Sequence, residues 1–517
     1  MKGLRIMLLG IDIGTSATKT VLFDLEGNAL ASHTIAYPMH CPKSGWAEQN
    51  PEDWWNATAD GIRAVLSESG IPASEVRGVG LSGQMNGHVM TGSDGRVLRP
   101  AILWCDLRAT EEVEEMNRKV GSRRIVELTG NCAIPGLGAA KILWVKNHQP
   151  EIYERAAHIM VPKDYVRYRL TGEYATEVSD ASGMQLLDIN RRDWSDELLE
   201  KIGIDRDKLP RMHESPDVTG VISREAAERT GLLPGTIVVG GAGDNPAAGV
   251  GMGAMTDGRA FTTIGTSGVP YMLTEKVLPD YEGRVNCLCA AAPGKWMMMG
   301  CIQAAGYSLK WLRDVVCGVE IEEARARGCD PFAVMDELAA GVAPGSEGLL
   351  FLPYLLGERS PHADADCRGV FFGLSSIHSR PHMIRAVMEG VSFSMRECLD
   401  VYTELGCTPR DMRVCGGGGK SALWRQMLAD IYGCEVSTVQ SAEGGAALGV
   451  AILAGVGAGE YASVEQACEA LVRKNATHVP DMAAHRAYEG YYELHKKLYC
   501  DLYEDYKALA RLVEQRS

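Results

Sequence analysis

Ile11 to Phe23 reads IDIGTSATKTVLF, and Phe261 to Leu273 reads FTTIGTSGVPYML. Each places a small, hydroxyl-rich IGTS between apolar, β-prone flanks, the pattern of a hairpin whose turn offers backbone N–H groups and hydroxyls. The copies lie about 250 positions apart, so two bodies of related design facing one another are expected. In the first copy, Leu4 to Leu9 is expected as a buried strand and Asp12 to Ser16 as the turn. Ala17 to Phe23 follows as the second strand, and Asp24 to Asn28 turns the chain into a third. Such a turn can present Thr15 and Ser16 to phosphate oxygens, with Lys19 adding charge and Asp12 available to a hydrated magnesium ion.

Two further glycine-rich stretches invite a chemical reading. Gly240 to Gly251, GGAGDNPAAGVG, carries one charge, Asp244, between a tight strand-to-loop transition and a small-residue helix. That carboxylate can accept a hydroxyl proton during attack on a phosphoryl group, or it can cap the helix that follows. Gly416 to Gly419 sits between a strand-like Val414–Cys415 and a helical ALWRQMLADIY. It fails as a Walker loop because Val414 falls where the first glycine is required. A strand-glycine-helix unit still approaches a nucleotide closely, and Lys420 reads as a phosphate or ribose contact or as a solvated lysine. There is neither a GxSxG elbow nor an HExxH metal helix.

After a strand predicted over Val76 to Ser82, GQMNGH places Gln84, Met85, Asn86 and His88 at the end where α/β folds bind ligands. His88 is expected as a loop or surface histidine. Asp106, after a short strand from Ala101 to Trp104, can hydrogen-bond a polyol or cap a helix starting at Ala109. Pro51 opens a predicted helix with Trp54, Trp55, Thr58, Ile62 and Val65 on its core face. Lys141 to Gly172 reads as three helical pieces, and Tyr174 to Pro234 as an insertion carrying loops over a cleft. Helices are expected over Gly300 to Asp314 and Pro381 to Leu405, with FLPYLLGERSPH between them as strand then loop. The uncharged Gly444 to Gly459 reads as a buried helix, too short to span a membrane. The Tyr-rich segment from Tyr461 to Ser517 suits packing on its own chain or on a partner.

Composition bounds the possibilities. The 517 residues, 46% hydrophobic and 23% charged with 58 glycines, describe a globular α/β protein of two large or three smaller domains. A net charge of −15 argues against a nucleic-acid partner. It also requires any ATP site to concentrate positive groups, backbone amides and helix N-termini locally. The 15 cysteines include no CxxC, so reduced thiols in a cytoplasmic protein are expected. Asp12 interrupts the N-terminal apolar run too early for a signal peptide.

Taken in order, Asp12 to Ser16, Asp244, Gly265 to Gly268 and Gly416 to Gly419 give the chain its resemblance to the FGGY carbohydrate kinases. WAEQNPEDWW, LRPAILWCD, PKDYVRYRLTGEY and FLPYLLGERSPH look most like the xylulokinase branch. The resemblance implies an α/β fold of two actin-like, ribonuclease-H-like ATPase domains with ATP and sugar meeting in the cleft between them. Residues 1–255 would form the N-terminal domain, 256–460 the C-terminal domain, and 461–517 a helical segment packed on both. It implies Asp244 as catalytic base, Asn245, Met85, Asn86 and Asp106 as sugar contacts, and Asp12 as the magnesium-associated residue. Thr15, Ser16, Lys19, Gly265, Thr266, Gly417 and Gly418 would contact the nucleotide. A homodimer is implied only by the resemblance. Xylulokinases usually show Met-His at Met85–Asn86 and Asn-Asp at Cys105–Asp106, so the sugar stays open among D-xylulose, L-xylulose, ribulose, erythritol and glycerol. Actin-like hairpins also occur in partner-driven ATPases, and the GDN motif with the Gln84 to Asn86 loop favours the kinase.

Overall fold

The structure, a computed structural model, describes residues 6–440 and 444–514. Leu4 and Arg5 of the expected first strand lie outside them. The strand itself, β1, runs Met7–Ile13 and carries Asp12, so the turn is confined to Gly14 to Ser16. β2 (Ala17–Asp24) and β3 (Ala29–Ala36) complete an antiparallel meander. Helix α1 (Pro51–Ser69), capped by the Asn50 side chain, then leads to β4 (Val76–Gly83), which runs parallel to β1. Later in the chain β5 (Val218–Val221), β6 (Ile237–Val239) and β7 (Ala242–Gly243) finish a seven-stranded sheet of order β5-β6-β4-β1-β2-β3, with β7 also on β4.

The second sheet repeats the plan. β8 (Arg259–Ile264) and β9 (Gly268–Thr274) form the hairpin around the second IGTS, and β10 (Asn286–Cys289) and β11 (Trp296–Met299) extend it antiparallel. β12 (Asp411–Cys415) runs parallel to β8, β13 (Glu435–Val439) parallel to β12, and β14 (Lys474–His478) closes the edge antiparallel. Each sheet therefore has an antiparallel hairpin beside parallel strands, its first hairpin strand pairing with a later crossover strand. That shared order is what the repeated IGTS foretold.

Both faces of the first sheet are covered, so β1 and β4 are buried along nearly their whole length instead of alternating. On one face α1 packs Trp54, Ile62 and Val65 against Leu9, Ile11 and Leu81. The other face receives a helix from far down the chain, Gly445–Gly457. It lies within the stretch expected to be C-terminal domain, yet packs Leu448 and Val450 with Leu8, Val21 and Phe23. The approach is close because Gly10 and Gly80, paired across β1 and β4, have no side chains: a Cβ on Gly80 would overlap the Val450 carbonyl oxygen. The second sheet carries a long helix, Arg380–Glu404, whose Val387, Val391 and Met395 share a core with Ala260, Ile264 and Met272.

Two sequence expectations change, and one left open is decided. Tyr174 to Pro234 is not loops over a cleft, since it supplies β5 and a fully buried helix, Val178–Gly183. The helix expected from Gly300 begins at Gly306. The Tyr-rich tail is the helix Met482–Glu514, and it packs on its own chain, with Tyr488, Tyr492, Tyr499 and Tyr506 against Leu350, Tyr354 and Phe393. Among the described residues no helix is long and apolar enough to cross a membrane.

Gly80→Ala is expected to cost about 3 kcal/mol of stability, because the added methyl meets backbone instead of a movable side chain. The urea midpoint reads this directly, and an unchanged midpoint would contradict the packing described for the Gly445–Gly457 helix.

Candidate active site

The helices that shape the cleft take labels in chain order after α1: α2 (Pro162–Thr171), α3 (Val178–Gly183), α4 (Asp244–Gly251), α5 (Gly306–Val316), α6 (Pro331–Ala340), α7 (Arg380–Glu404), α8 (Ala422–Tyr432), α9 (Gly445–Gly457) and α10 (Met482–Glu514).

Asp244 is the first residue of α4, with Gly243 at the N-cap and no side-chain cap. The capping reading therefore fails. The backbone and side-chain amides of Asn245 donate to Asp244 Oδ1 at 2.7 and 2.8 Å, and among the described residues Oδ2 has no hydrogen-bond partner. The strand end before it is braced from behind. The Gly243 N–H donates to Ser179 Oγ at 3.2 Å, Ser179 donates to Glu177 Oε1 at 2.9 Å, and the buried Lys163 ammonium lies 3.3 Å from that carboxylate. Desolvation first, then the negative charge of Asp12, push the Asp244 carboxyl up to about 7. That is the range in which a carboxylate serves as a general base near neutral pH.

Asp12 projects from β1 with its Oδ1 buried and unpartnered. Burial raises its pKa, while the nearby Ser82 hydroxyl and the charge of Lys19 pull it down. Such a carboxylate gains from a cation. Among the described residues no cluster of three acidic, His or Cys side chains forms a metal cage. Magnesium, however, is commonly held by one or two carboxylates together with phosphate oxygens and water, and one unpartnered carboxylate beside a phosphate-sized turn fits that donor set.

Thr15 is held rather than free. Its hydroxyl accepts from Trp104 Nε1 at 3.0 Å and lies 3.3 Å from Gln84 Oε1, and its carbonyl accepts from Gln49 Nε2 at 2.6 Å. Gln84 and Gln49 are themselves bonded at 2.9 Å. Ser16 is exposed at the tip of the turn, and Lys19 follows on β2. In the second body the exposed Gly265 and Thr266 meet Gly417 and Gly418 in one cavity of 650 Å³, also lined by Tyr307, Lys310, Phe332, Asp336, Lys420 and Trp424. Lys420 thus belongs to the cavity wall. Tyr307 and Lys310 on α5, and Phe332 and Asp336 on α6, carried no signal in the sequence, because nothing local marks those helices as ligand-facing.

On the sugar side, Met85 is buried and Asn86 sits in the left-handed region at φ 64°, which Asn tolerates better than most residues. The Asn86 Oδ1 is buried without a partner, while its carbonyl accepts from Lys141 Nζ at 3.0 Å. Burial drives the Lys141 ammonium down to about 7. Asp106 is fully buried and caps nothing, as the next helix, Thr110–Val120, has Ala109 at its N-cap. Its carboxylate instead accepts from Arg108 Nε at 2.8 Å and Nη2 at 2.6 Å and from the Ala47 N–H at 2.6 Å. It shapes the pocket wall with its hydrogen-bonding capacity already used. His88, expected as a loop or surface histidine, is buried with neither ring nitrogen partnered, and burial among Arg99, Lys141 and Arg108 holds it well below its ordinary pKa.

Two duplicated sheets, a nucleotide-sized cavity on one body and an activated aspartate with unpartnered polar groups on the other define an actin-like phosphotransferase. Residues 7–251 match the N-terminal domain, and residues 260–458 the C-terminal domain, of the FGGY family of carbohydrate kinases. The chain belongs to that family. It is 38% identical over 492 residues to the xylulose kinase of Bacillus subtilis (strain 168), covering 95% of this chain and 96% of that one. To the xylulose kinase of Escherichia coli (strain K12) it is 36% identical, covering 96% and 99%. The crystal structure of ligand bound xylulose kinase from Lactobacillus acidophilus superposes with a TM-score of 0.90 at 26% identity over 97% of this chain and 99% of that one.

The Asp244 titration is expected near pH 7 and lower in Asp12→Asn, since removing the like charge favours the carboxylate. Carboxyl-carbon NMR measures both. A wild-type midpoint below pH 5, or no downward move in the variant, would break the electrostatic link between the two residues.

Proposed function

We propose that this chain is an MgATP-dependent kinase of D-xylulose, forming D-xylulose 5-phosphate in the cytoplasm, where its 15 cysteines, all free in the structure, stay reduced. The observation that carries the reading is Asp244, with one oxygen tied by Asn245, the other without a hydrogen-bond partner among the described residues, and the charge of Asp12 bearing on it. In the step proposed, Asp244 Oδ2 takes the proton of the terminal sugar hydroxyl as its oxygen bonds to the γ-phosphorus, and the bond from that phosphorus to the β-phosphate oxygen breaks to release ADP. Bound magnesium would neutralise phosphate charge, with Asp12 as its protein ligand.

The N-terminal body supplies the sugar contacts, Asn86, Asn245 and the Met85 wall, and the turn at Thr15 and Ser16, with Lys19 close by. The C-terminal body supplies Gly265, Thr266, Gly417 and Gly418 to the nucleotide. D-xylulose is the sugar supported by the relatives above, which match nearly end to end. Asn86 presents an amide oxygen as acceptor, and that polar atom needs a hydroxyl to satisfy it, which suits a polyhydroxy substrate over a less oxygenated one.

Purified protein with MgATP is expected to release ADP on addition of D-xylulose and much less with glycerol, erythritol or no sugar. Stimulation by another polyol alone would keep the mechanism and reassign the substrate. Asp244→Ala is expected to lower kcat at least about 10³-fold while nucleotide affinity stays near wild type, in line with loss of a general base. Near-wild-type turnover in that variant would remove Asp244 from the role.

A further inference from the structure

The loop Gly357 to Asp364 is fixed from two sides. Glu358 and Asp364 exchange both backbone hydrogen bonds at 2.8 Å, closing it on itself. On its inner side the Glu358 carboxylate accepts the Gln303 and Arg359 N–H groups at 2.8 and 2.7 Å, and the Ser360 N–H donates to the Cys301 carbonyl at 3.1 Å. The neighbouring Ile302 is bonded in turn to Gly268, at the end of the second IGTS hairpin. On its outer side α10 clamps it. Lys507 Nζ lies 2.5 Å from Asp364 Oδ1, the Tyr499 hydroxyl lies 3.2 Å from Asp364 Oδ2, and the Tyr499 ring stacks on His362 at 3.5 Å.

One long side chain leaves this rigid loop with nothing to hold. Among the described residues the half-buried Arg359 guanidinium has no hydrogen bond and no ion pair. A guanidinium offers five donors in a fixed fork, and a well-anchored loop gains nothing from presenting it unmatched. It leaves a loop bonded to Cys301 and Gln303, which flank Ile302 at the end of the second IGTS hairpin. Its charge reaches Lys141, which bonds the Asn86 carbonyl, and Cys301, which in turn feels Asp244. It does not line the 650 Å³ cavity.

Resting on the kinase reading above, we propose that Arg359 is an acceptor-binding residue contributed by the C-terminal body, donating hydrogen bonds to sugar oxygens opposite the wall made by Asn86. The sugar then touches both bodies. This gives the C-terminal half a part in acceptor recognition in addition to nucleotide binding.

Arg359→Met keeps the apolar length and removes every donor, and Arg359→Lys restores charge without the fork. Steady-state kinetics with D-xylulose and MgATP are expected to show the sugar KM raised at least about tenfold in Arg359→Met and partly recovered in Arg359→Lys. The MgATP KM and sugar-free ATP hydrolysis stay within about twofold of wild type, and Tm is unchanged because no partner is lost. An unchanged sugar KM overturns the proposal, whether kcat is preserved or falls. A fall in kcat alone would place Arg359 on the phosphoryl group instead. Wild-type protein that turns over no sugar would overturn the kinase reading and this inference together, whereas wild-type turnover with an unmoved sugar KM in both variants overturns this inference alone.

Discussion

The structure depends on the contact of two helices made almost entirely of glycine, alanine and valine. α4 opens with Asp244 and continues NPAAGVG; α9 reads GAALGVAILAGVG. A Cβ on Gly449 would overlap the Ala247 carbonyl oxygen, and one on Gly251 would overlap that of Gly445, so the two helices cross at backbone distance. Dispersion between closely fitted backbones gains from every atom in contact and tolerates no added methyl. α9 also fills the face of the first sheet, so residues from the second half of the chain complete the core beneath the reactive aspartate. This seam joins segments from the two halves of the chain.

That seam sets the electrostatics. α4 is short and apolar, and it delivers Asp244 where no cation neutralises it. Asn245 supplies two hydrogen bonds that favour the charged form, but burial and the charge of Asp12 outweigh them, and the carboxyl comes to rest near neutrality. Hydrogen bonding to one oxygen fixes the orientation of the group, and desolvation sets its basicity. The two effects act on different properties, so the site is both rigid and poised.

Much of this was legible in the sequence wherever structure is set locally. The IGTS turns, the helix start at Pro51, the strand-glycine-helix unit at Gly416 to Gly419 and the apolar run of α9 each carry their cause close by in the chain. What α9 packs against could not be read, because an unbroken Gly and Ala run reports burial and says nothing of its partner. Tyr174 to Pro234 misled for a related reason. Glu177, Ser179 and Asp180 look like solvated polar residues in sequence, and only the fold sets the first two among Lys163 and Ser215, where they satisfy one another out of water. Asp106 and His88 show two sides of the same limit: Asp106 is tied by Arg108, two residues on, and by the distant Ala47 N–H, while the burial of His88 without a partner is set by the fold.

An acidic protein that handles a polyphosphate must solve a problem of charge, and the solution here is one of placement. On the proposed reading, the turns at Thr15 and Thr266 and the glycines at 417 and 418 would offer backbone amides, which attract phosphate oxygens without adding net charge. Few lysines are near: Lys310 and Lys420 line the 650 Å³ cavity, and Lys19 follows the first turn on β2. Asp12 contributes negative charge, which is unfavourable to a bare nucleotide and favourable to one that arrives with its metal. On the kinase reading proposed above, a site assembled this way would discriminate by counting charge: Asp12 would oppose the bare anion, and dipoles on both hairpins would favour the complex neutralised by its metal. The −15 net charge is then no obstacle, because outside the cleft it repels free anions and inside it the relevant field is made by a handful of oriented amides and one unpartnered carboxylate.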